Sequence, residues 1–261
     1  MRIALGIEYE GLNFVGFQRQ PQLRTVQGEL EKALSIIADE DISLQCAGRT
    51  DTGVNATGQV VHFDVIKERT DRGWILGTNN FLPQDVAVLC AKHVPDSFHA
   101  RFSATARRYR YILRNTISRG GIMPYGVSIY PGDFDVPLMQ KAADFILGER
   151  DFSSFRAAED ASRTSMRCVH FLKIRKFGEY LVFDIAANAF LMHMVRNIVG
   201  SLLLLGRHER DYEWFINMFL AKDRTKAGPT AKPHGLYLVD VTYPDVFCLP
   251  RREFVGPLFM P

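Results

Sequence analysis

A stretch punctuated by glycine, Cys46 to Asp64, limits the chain most: C-A-G-R-T-D-T-G-V-N-A-T-G-Q-V-V-H-F-D. Ile42, Leu44 and Cys46 alternate as an incoming strand, and Val61 and Phe63 as an outgoing one, with Gly48, Gly53 and Gly58 between. A tight loop between two strands is expected. Glycine tolerates positive φ and close approach to other groups, so Arg49 and Asp51 should be presented at a loop tip rather than inside an element. An ordinary turn uses the same residue types, since Asp, Thr and Gly are common turn formers.

Asp51-Thr52-Gly53 is also the short motif of aspartic proteases. Those enzymes need two carboxylates sharing one proton. The chain has no second Asp-Thr-Gly or Asp-Ser-Gly, and Arg49 beside such a pair would favour full ionisation over proton sharing.

With 261 residues, 47% of them hydrophobic, the chain can bury a full core as one large or two modest domains. The start, M-R-I-A-L-G-I-E-Y-E, reaches Glu8 too soon for a signal-peptide core, and no later apolar run has membrane-spanning length, so a cytoplasmic protein with no membrane association is expected. Cys46, Cys90, Cys168 and Cys248 lack paired spacing and read as reduced, mostly buried thiols, with no metal site.

A net charge of +3 is too small by itself to indicate a polyanionic partner. Its distribution is more informative. Arg101, Arg107, Arg108, Arg110, Arg114 and Arg119 crowd one segment; Arg150, Arg156, Arg163 and Arg167 occupy a second, and Lys222, Arg224, Lys226 and Lys232 a third. Planar guanidinium groups suit phosphates and bases. For any single arginine, solvated surface is the plainer reading.

Arg2 to Tyr9 alternates as a first strand, and from Val26 the positions Leu30, Leu34 and Ile37 give an amphipathic helix with Thr25 as N-cap. After the glycine loop, Trp74, Leu76 and Phe81 suggest a short helix, and Val86, Val88 and Cys90 a strand, making β-α-β-β-α-β. In A-T-A-R-R-Y-R-Y-I-L-R-N, Arg107, Tyr109, Tyr111 and Leu113 share one strand face. A helix over Leu138 to Ile146 follows, then a hairpin turned at Phe177-Gly178-Glu179, helices over Leu191 to Leu205 and Trp214 to Leu220, and a strand over Leu236 to Val241. This order predicts an α+β protein of two related lobes, residues 1–104 and 105–261, with a cleft between them.

In L-M-H-M-V-R-N-I-V-G-S-L-L-L-L, His193, Arg196, Asn197 and Gly200 form a narrow polar stripe on a mostly apolar helix. A charge there needs a partner, because burying it alone costs several kcal/mol.

The stretch G-R-T-D-T-G-V-N-A-T-G-Q-V-V-H-F, the segment F-H-A-R-F-S-A-T-A-R-R-Y-R-Y-I, D-F-S-S-F, S-R-T, N-A-F-L-M-H-M-V-R-N-I-V-G-S, the late G-L-Y-L and the tail P-L-F together resemble the TruA family. These are tRNA pseudouridine synthases acting on uridines 38–40 of the anticodon stem-loop. The resemblance implies the pseudouridine synthase fold, two α/β lobes with mainly antiparallel sheets and a central active-site cleft. It also implies a homodimer that acts on tRNA with no metal or organic cofactor. By match, Asp51 is the catalytic aspartate, Arg196 its basic partner, Tyr109 the tyrosine beside the target base, Arg49 an RNA-contacting arginine and Leu236 an apolar active-site residue. Two positions depart from the family pattern: Thr52 stands where Ala is usual and Asn55 where His is usual, so the histidine's role does not carry over. Asn55 can supply a hydrogen bond instead.

The residue types suit the reaction. Forming pseudouridine breaks the N-glycosidic bond, turns the uracil and rejoins it through C5, with no redox step. An ionised Asp51 can attack uracil C6 or ribose C1′, or assist base elimination. Reaching a paired base means extruding it at a cost of a few kcal/mol, offset by phosphate contacts and stacking. The alternative is a non-catalytic RNA-binding module of similar fold, whose affinity would be indifferent to Asp51.

Overall fold

The structure, a computed structural model, describes residues 1–118 and 126–250. Arg119, counted in the first arginine segment, and the Pro-Leu-Phe tail lie outside the described residues. In chain order the first elements are β1 (Arg2–Tyr9), α1 (Val26–Ala38), β2 (Leu44–Cys46), β3 (Asn55–Asp64), α2 (Asp71–Phe81) and β4 (Val86–Val94). There follow β5 (Ala106–Arg114), β6 (Ser128–Ile129), α3 (Val136–Phe145), β7 (Gly148–Asp151), β8 (Met166–Phe177), β9 (Tyr180–Ala187), α4 (Met194–Gly206), α5 (Tyr212–Leu220) and β10 (Leu236–Thr242). This is an α+β protein with a mixed sheet. Among the described residues, contacts divide it into two units, one comprising Met1–Thr105 with residues 237–250, the other running from Ala106 to Leu236.

In the first unit β1 runs antiparallel between β3 and β4, and β2 adds antiparallel to β3. The late strand β10 lies parallel to β3 through Tyr237 opposite Asn55 and Leu238 opposite Ala56. Alternation puts Ile3, Leu5 and Ile7 of β1 and Val61 and Phe63 of β3 in the core with Leu30 and Leu34 of α1 and Trp74 of α2. The Phe63 and Trp74 rings meet edge to face at 5.2 Å. Thr25 caps α1 by accepting from the Gly28 amide at 3.2 Å, as expected, and Thr70 caps α2 in the same way. In α2 only Trp74 of the three expected apolar residues is buried, while Leu76 and Phe81 are 51% and 53% exposed.

In the second unit the antiparallel order is β5-β9-β8-β7, with β6 parallel to β5. The β8–β9 hairpin turns at Gly178 and Glu179, where Gly178 has φ +57°, a conformation glycine adopts without strain. Tyr111, Phe183, Ile185, Phe152, Phe155 and Phe215 fill the core. Helix α4 starts at Met194 rather than Leu191, because His193 at its N-cap takes a left-handed φ of +62°. Of the expected polar stripe, Asn197 and Gly200 are packed against protein, while His193 and Arg196 are partly exposed. Asn197 is fully buried, its amide donating to the Phe155 carbonyl at 2.8 Å, and a Cβ on Gly200 would lie 1.8 Å from the Pro229 carbonyl oxygen.

The arginine segments are also more engaged than a solvated surface. Arg108 grips Asp184 with two bonds of 2.7 and 2.6 Å, Arg110 shares that carboxylate at 3.0 Å, Arg114 pairs with Glu179, and Arg107 donates to the Asn188 carbonyl. The cysteines are free, but Cys46, Cys90 and Cys168 are only partly buried and Cys248 is exposed. Among the described residues no helix is long and apolar enough to cross a membrane.

Candidate active site

The loop between β2 and β3 is fastened at every step. The fully buried Gln59 of β3 donates its amide to the Gly48 carbonyl at 2.6 Å, closing the loop's neck, and the Ala47 amide donates to the Val60 carbonyl at 2.8 Å. Thr50 is buried and shares a 2.8 Å hydrogen bond with the Tyr9 hydroxyl at the end of β1. The Asp51 carbonyl accepts from the Val54 amide at 3.1 Å across a turn whose third residue, Gly53, has φ +77°, as a type II turn requires there.

A second segment braces this turn from below. Phe14 and Phe17 are buried, the Phe17 amide donates to the Thr50 carbonyl at 3.0 Å, and the Gly11 amide donates to Asn55 Oδ1 at 2.8 Å. Gly11 and Gly16 permit the approach. A Cβ on Gly11 would fall 2.2 Å from the Val54 carbonyl oxygen, and Gly16, at φ +75°, sits on the Thr50 carbonyl. The glycine-rich Gly11–Phe17 segment thus holds the turn that carries Asp51, a role sequence reading missed. Its signal was present as closely spaced Gly and Phe in an otherwise unassigned loop.

With Thr50 and Asn55 turned inward, Asp51 is partly exposed and Arg49 exposed. A carboxylate and a guanidinium two residues apart are therefore presented on a fixed backbone. Asn55 takes part in a hydrogen bond as expected, accepting from the Gly11 amide.

The other expected residues lie in the second unit. Tyr109 of β5 is 8% exposed, and its ring meets Phe190 edge to face at 4.9 Å. Arg196, in the first turn of α4, donates through Nε to the Ala231 carbonyl at 2.8 Å, while the Ala231 amide returns a bond to the Arg196 carbonyl at 3.1 Å. Its charge reaches Tyr111, two residues along β5 from Tyr109. Burial pushes the Tyr111 phenol well above its ordinary range, Tyr130 raises it further, and Arg196 pulls it down. Leu236 is buried at the start of β10, next to Gly235, whose carbonyl accepts from the Ile112 amide of β5 at 2.8 Å and whose amide donates to Ser128 Oγ at 3.1 Å. Tyr109, Arg196 and Leu236 are thus all tied to the β5 neighbourhood. Among the described residues no group of three or more His, Cys, Asp or Glu could hold a metal ion.

Residues 6–103 and 142–244 match the model of a family described as tRNA pseudouridine synthase. A tRNA pseudouridine synthase A from Shewanella amazonensis is 59% identical over 261 residues, covering 100% of both chains. One from Shewanella loihica is 56% identical over 260 residues, 100% of this chain and 99% of its own. A chain of a solved Cbf5-Nop10-Gar1 complex matches 77% of this chain and 44% of its own length at TM-score 0.37 and 11% identity.

Proposed function

Since the chain belongs to the tRNA pseudouridine synthase family, and is therefore a uridine-isomerising enzyme, we propose that it acts on uridines 38–40 in the anticodon stem-loop of tRNA, with Asp51 as the acting carboxylate. The observation that carries this reading is the Asp51 turn: a partly exposed carboxylate beside an exposed guanidinium, on a backbone fixed by Thr50, Gln59 and Asn55. A reacting group held rigidly needs little reorganisation when the base arrives.

The remaining residues take roles their chemistry allows. Arg196 steadies the carboxylate in its charged form, Tyr109 offers a ring to the extruded uracil and a hydroxyl for proton passage, Arg49 meets an RNA phosphate, and Leu236 supplies an apolar wall. The reaction needs no redox partner, and the enzyme works as a homodimer without a metal or organic cofactor.

Release of tritium from C5-labelled uridine in unmodified tRNA transcripts tests this directly, because C5 must lose its hydrogen to become the glycosidic carbon. Asp51→Asn should abolish release with little change in tRNA affinity, since phosphate contacts remain. Turnover by the Asn variant within tenfold of the unaltered protein would remove Asp51 from the chemistry. Transcripts with uridine only outside positions 38–40 should release nothing; release from them would overturn the site assignment.

A further inference from the structure

Phe102 is 77% exposed, yet the turn that carries it is among the most firmly fixed in the first unit. The Ala100 amide donates to His62 Nδ1 at 3.1 Å, and the Ala100 carbonyl accepts from the Tyr243 hydroxyl at 2.7 Å. The amides of Arg101 and Phe102 both donate to His99 Nδ1, at 3.1 and 3.3 Å, and His99 and Ser103 exchange two bonds of 2.9 Å. Burial lowers the His99 pKa, with Arg2 adding to the effect, which keeps that nitrogen free to accept. The His99 ring then lies 4.3 Å from the Phe102 ring, and the Arg101 guanidinium 5.7 Å from its centroid. Beyond these two contacts the phenyl buries little surface in the fold, while the bonds beneath it fix its backbone.

The turn stands beside the strand pair from which the Asp51 loop departs. His62, which holds Ala100, is opposite Gln45 in the β2–β3 register, one pair from Cys46 opposite Val61, where the chain leaves for Arg49 and Asp51. Burial pushes the Cys46 thiol up to about 11, and the charges of Arg49 and Arg101 both reach it and pull it down. Two exposed arginines and an aromatic face therefore flank the strand that launches the loop.

We propose that Phe102, backed by His99 and Arg101, is a stacking platform for an unpaired base of the RNA substrate next to the target uridine. This rests on the function proposed above. The chemistry favours RNA over protein: Phe102 is flanked by Arg101 and Ser103, and a guanidinium beside an aromatic ring suits a base and its phosphate.

The test compares the unaltered protein with Phe102→Leu and Phe102→Tyr, measuring affinity for an unmodified tRNA transcript at several salt concentrations, C5 tritium release, thermal melting and sedimentation. Phe102→Leu should weaken tRNA binding about five- to a hundredfold, the range that loss of one stacked base gives, with an unchanged salt slope and melting, and Phe102→Tyr should restore it. Leucine-variant affinity within twofold of the unaltered protein would overturn the platform while leaving the function intact. So would a loss that tyrosine does not restore, a parallel fall in melting temperature, or a drop in sedimenting mass, which would mark a protein contact. Failure of the unaltered protein to bind tRNA or release tritium would instead strike the proposed function, and the platform with it.

Discussion

Asn55, the first residue of β3 after the Asp51 turn, accepts the amide hydrogen of Gly11 at 2.8 Å across 44 positions of chain. Both groups are buried, so the bond locks the turn to the segment beneath it.

Replacing Asn55 by alanine strands the Gly11 amide in a site without water access. A buried donor left unsatisfied costs about 1 to 3 kcal/mol. Asn55→Ala should therefore lower the melting temperature and slow tritium release, while Asn55→Asp, which keeps an acceptor oxygen, should retain more of both. Equal stability of the alanine variant would show that the bond contributes nothing.

Tyr109 has two separable parts, a ring packed on Phe190 and a hydroxyl. Tyr109→Phe keeps the ring, so melting and tRNA affinity should stay near normal while tritium release falls strongly. Tyr109→Leu also loses the edge-to-face contact, worth about 0.5 to 1.5 kcal/mol, and should be less stable as well. Full activity of both at saturating tRNA would exclude Tyr109 from the chemistry.

Arg196 binds the Ala231 carbonyl through Nε as well as carrying charge. Arg196→Met should lose activity and about 1 to 3 kcal/mol of stability by leaving that carbonyl without its donor. Arg196→Lys should recover part of the stability. Unchanged melting and turnover in the methionine variant would contradict both roles.

Asp184 is the shared anion of Arg108 and Arg110, and Arg110 is buried. Asp184→Asn removes the charge that neutralises two guanidinium groups, so a loss of about 3 kcal/mol or more is expected from chemical denaturation. A variant as stable as the unaltered protein would mean that water, not Asp184, satisfies those arginines.

His62 should make the protein acid-sensitive. Burial, with His99 alongside, lowers its pKa from 6.5 to about 4. The unfolded chain then takes up the proton first, so the stability His62 contributes is complete above pH 6.5 and is lost as pH falls from 6.5 toward 4, at up to about 1.4 kcal/mol per unit. His62→Asn keeps an acceptor for the Ala100 amide without titrating, and its melting temperature should fall less over that range. Identical pH profiles would place the titration elsewhere.

Much of the architecture was legible because it is local. The strand alternation of Arg2 to Tyr9, the Thr25 cap and the two-residue turn at Gly178 each follow from periods and backbone preferences that operate within a few residues. The Asp51 loop was legible for the same reason, since glycine spacing between two alternating runs leaves a turn as the consistent reading. Short strands escaped: β6 has two residues and β7 four, too few to show a period.

What sequence alone determined, then, is which of the longer segments become strands, helices and turns, and that Arg49 and Asp51 are displayed together on one loop. Tertiary structure alone decided the partners: Asp184 for Arg108 and Arg110, Gly11 for Asn55, Ala231 for Arg196, and β3 as the parallel neighbour of β10. It also decided that Leu76 and Phe81 stay exposed while Asn197 is buried. The physical reason is range. Backbone preference and amphipathic period act over one or two turns, whereas the partner of a buried polar group is set by which distant segment folding brings within hydrogen-bond reach, and no local pattern records that.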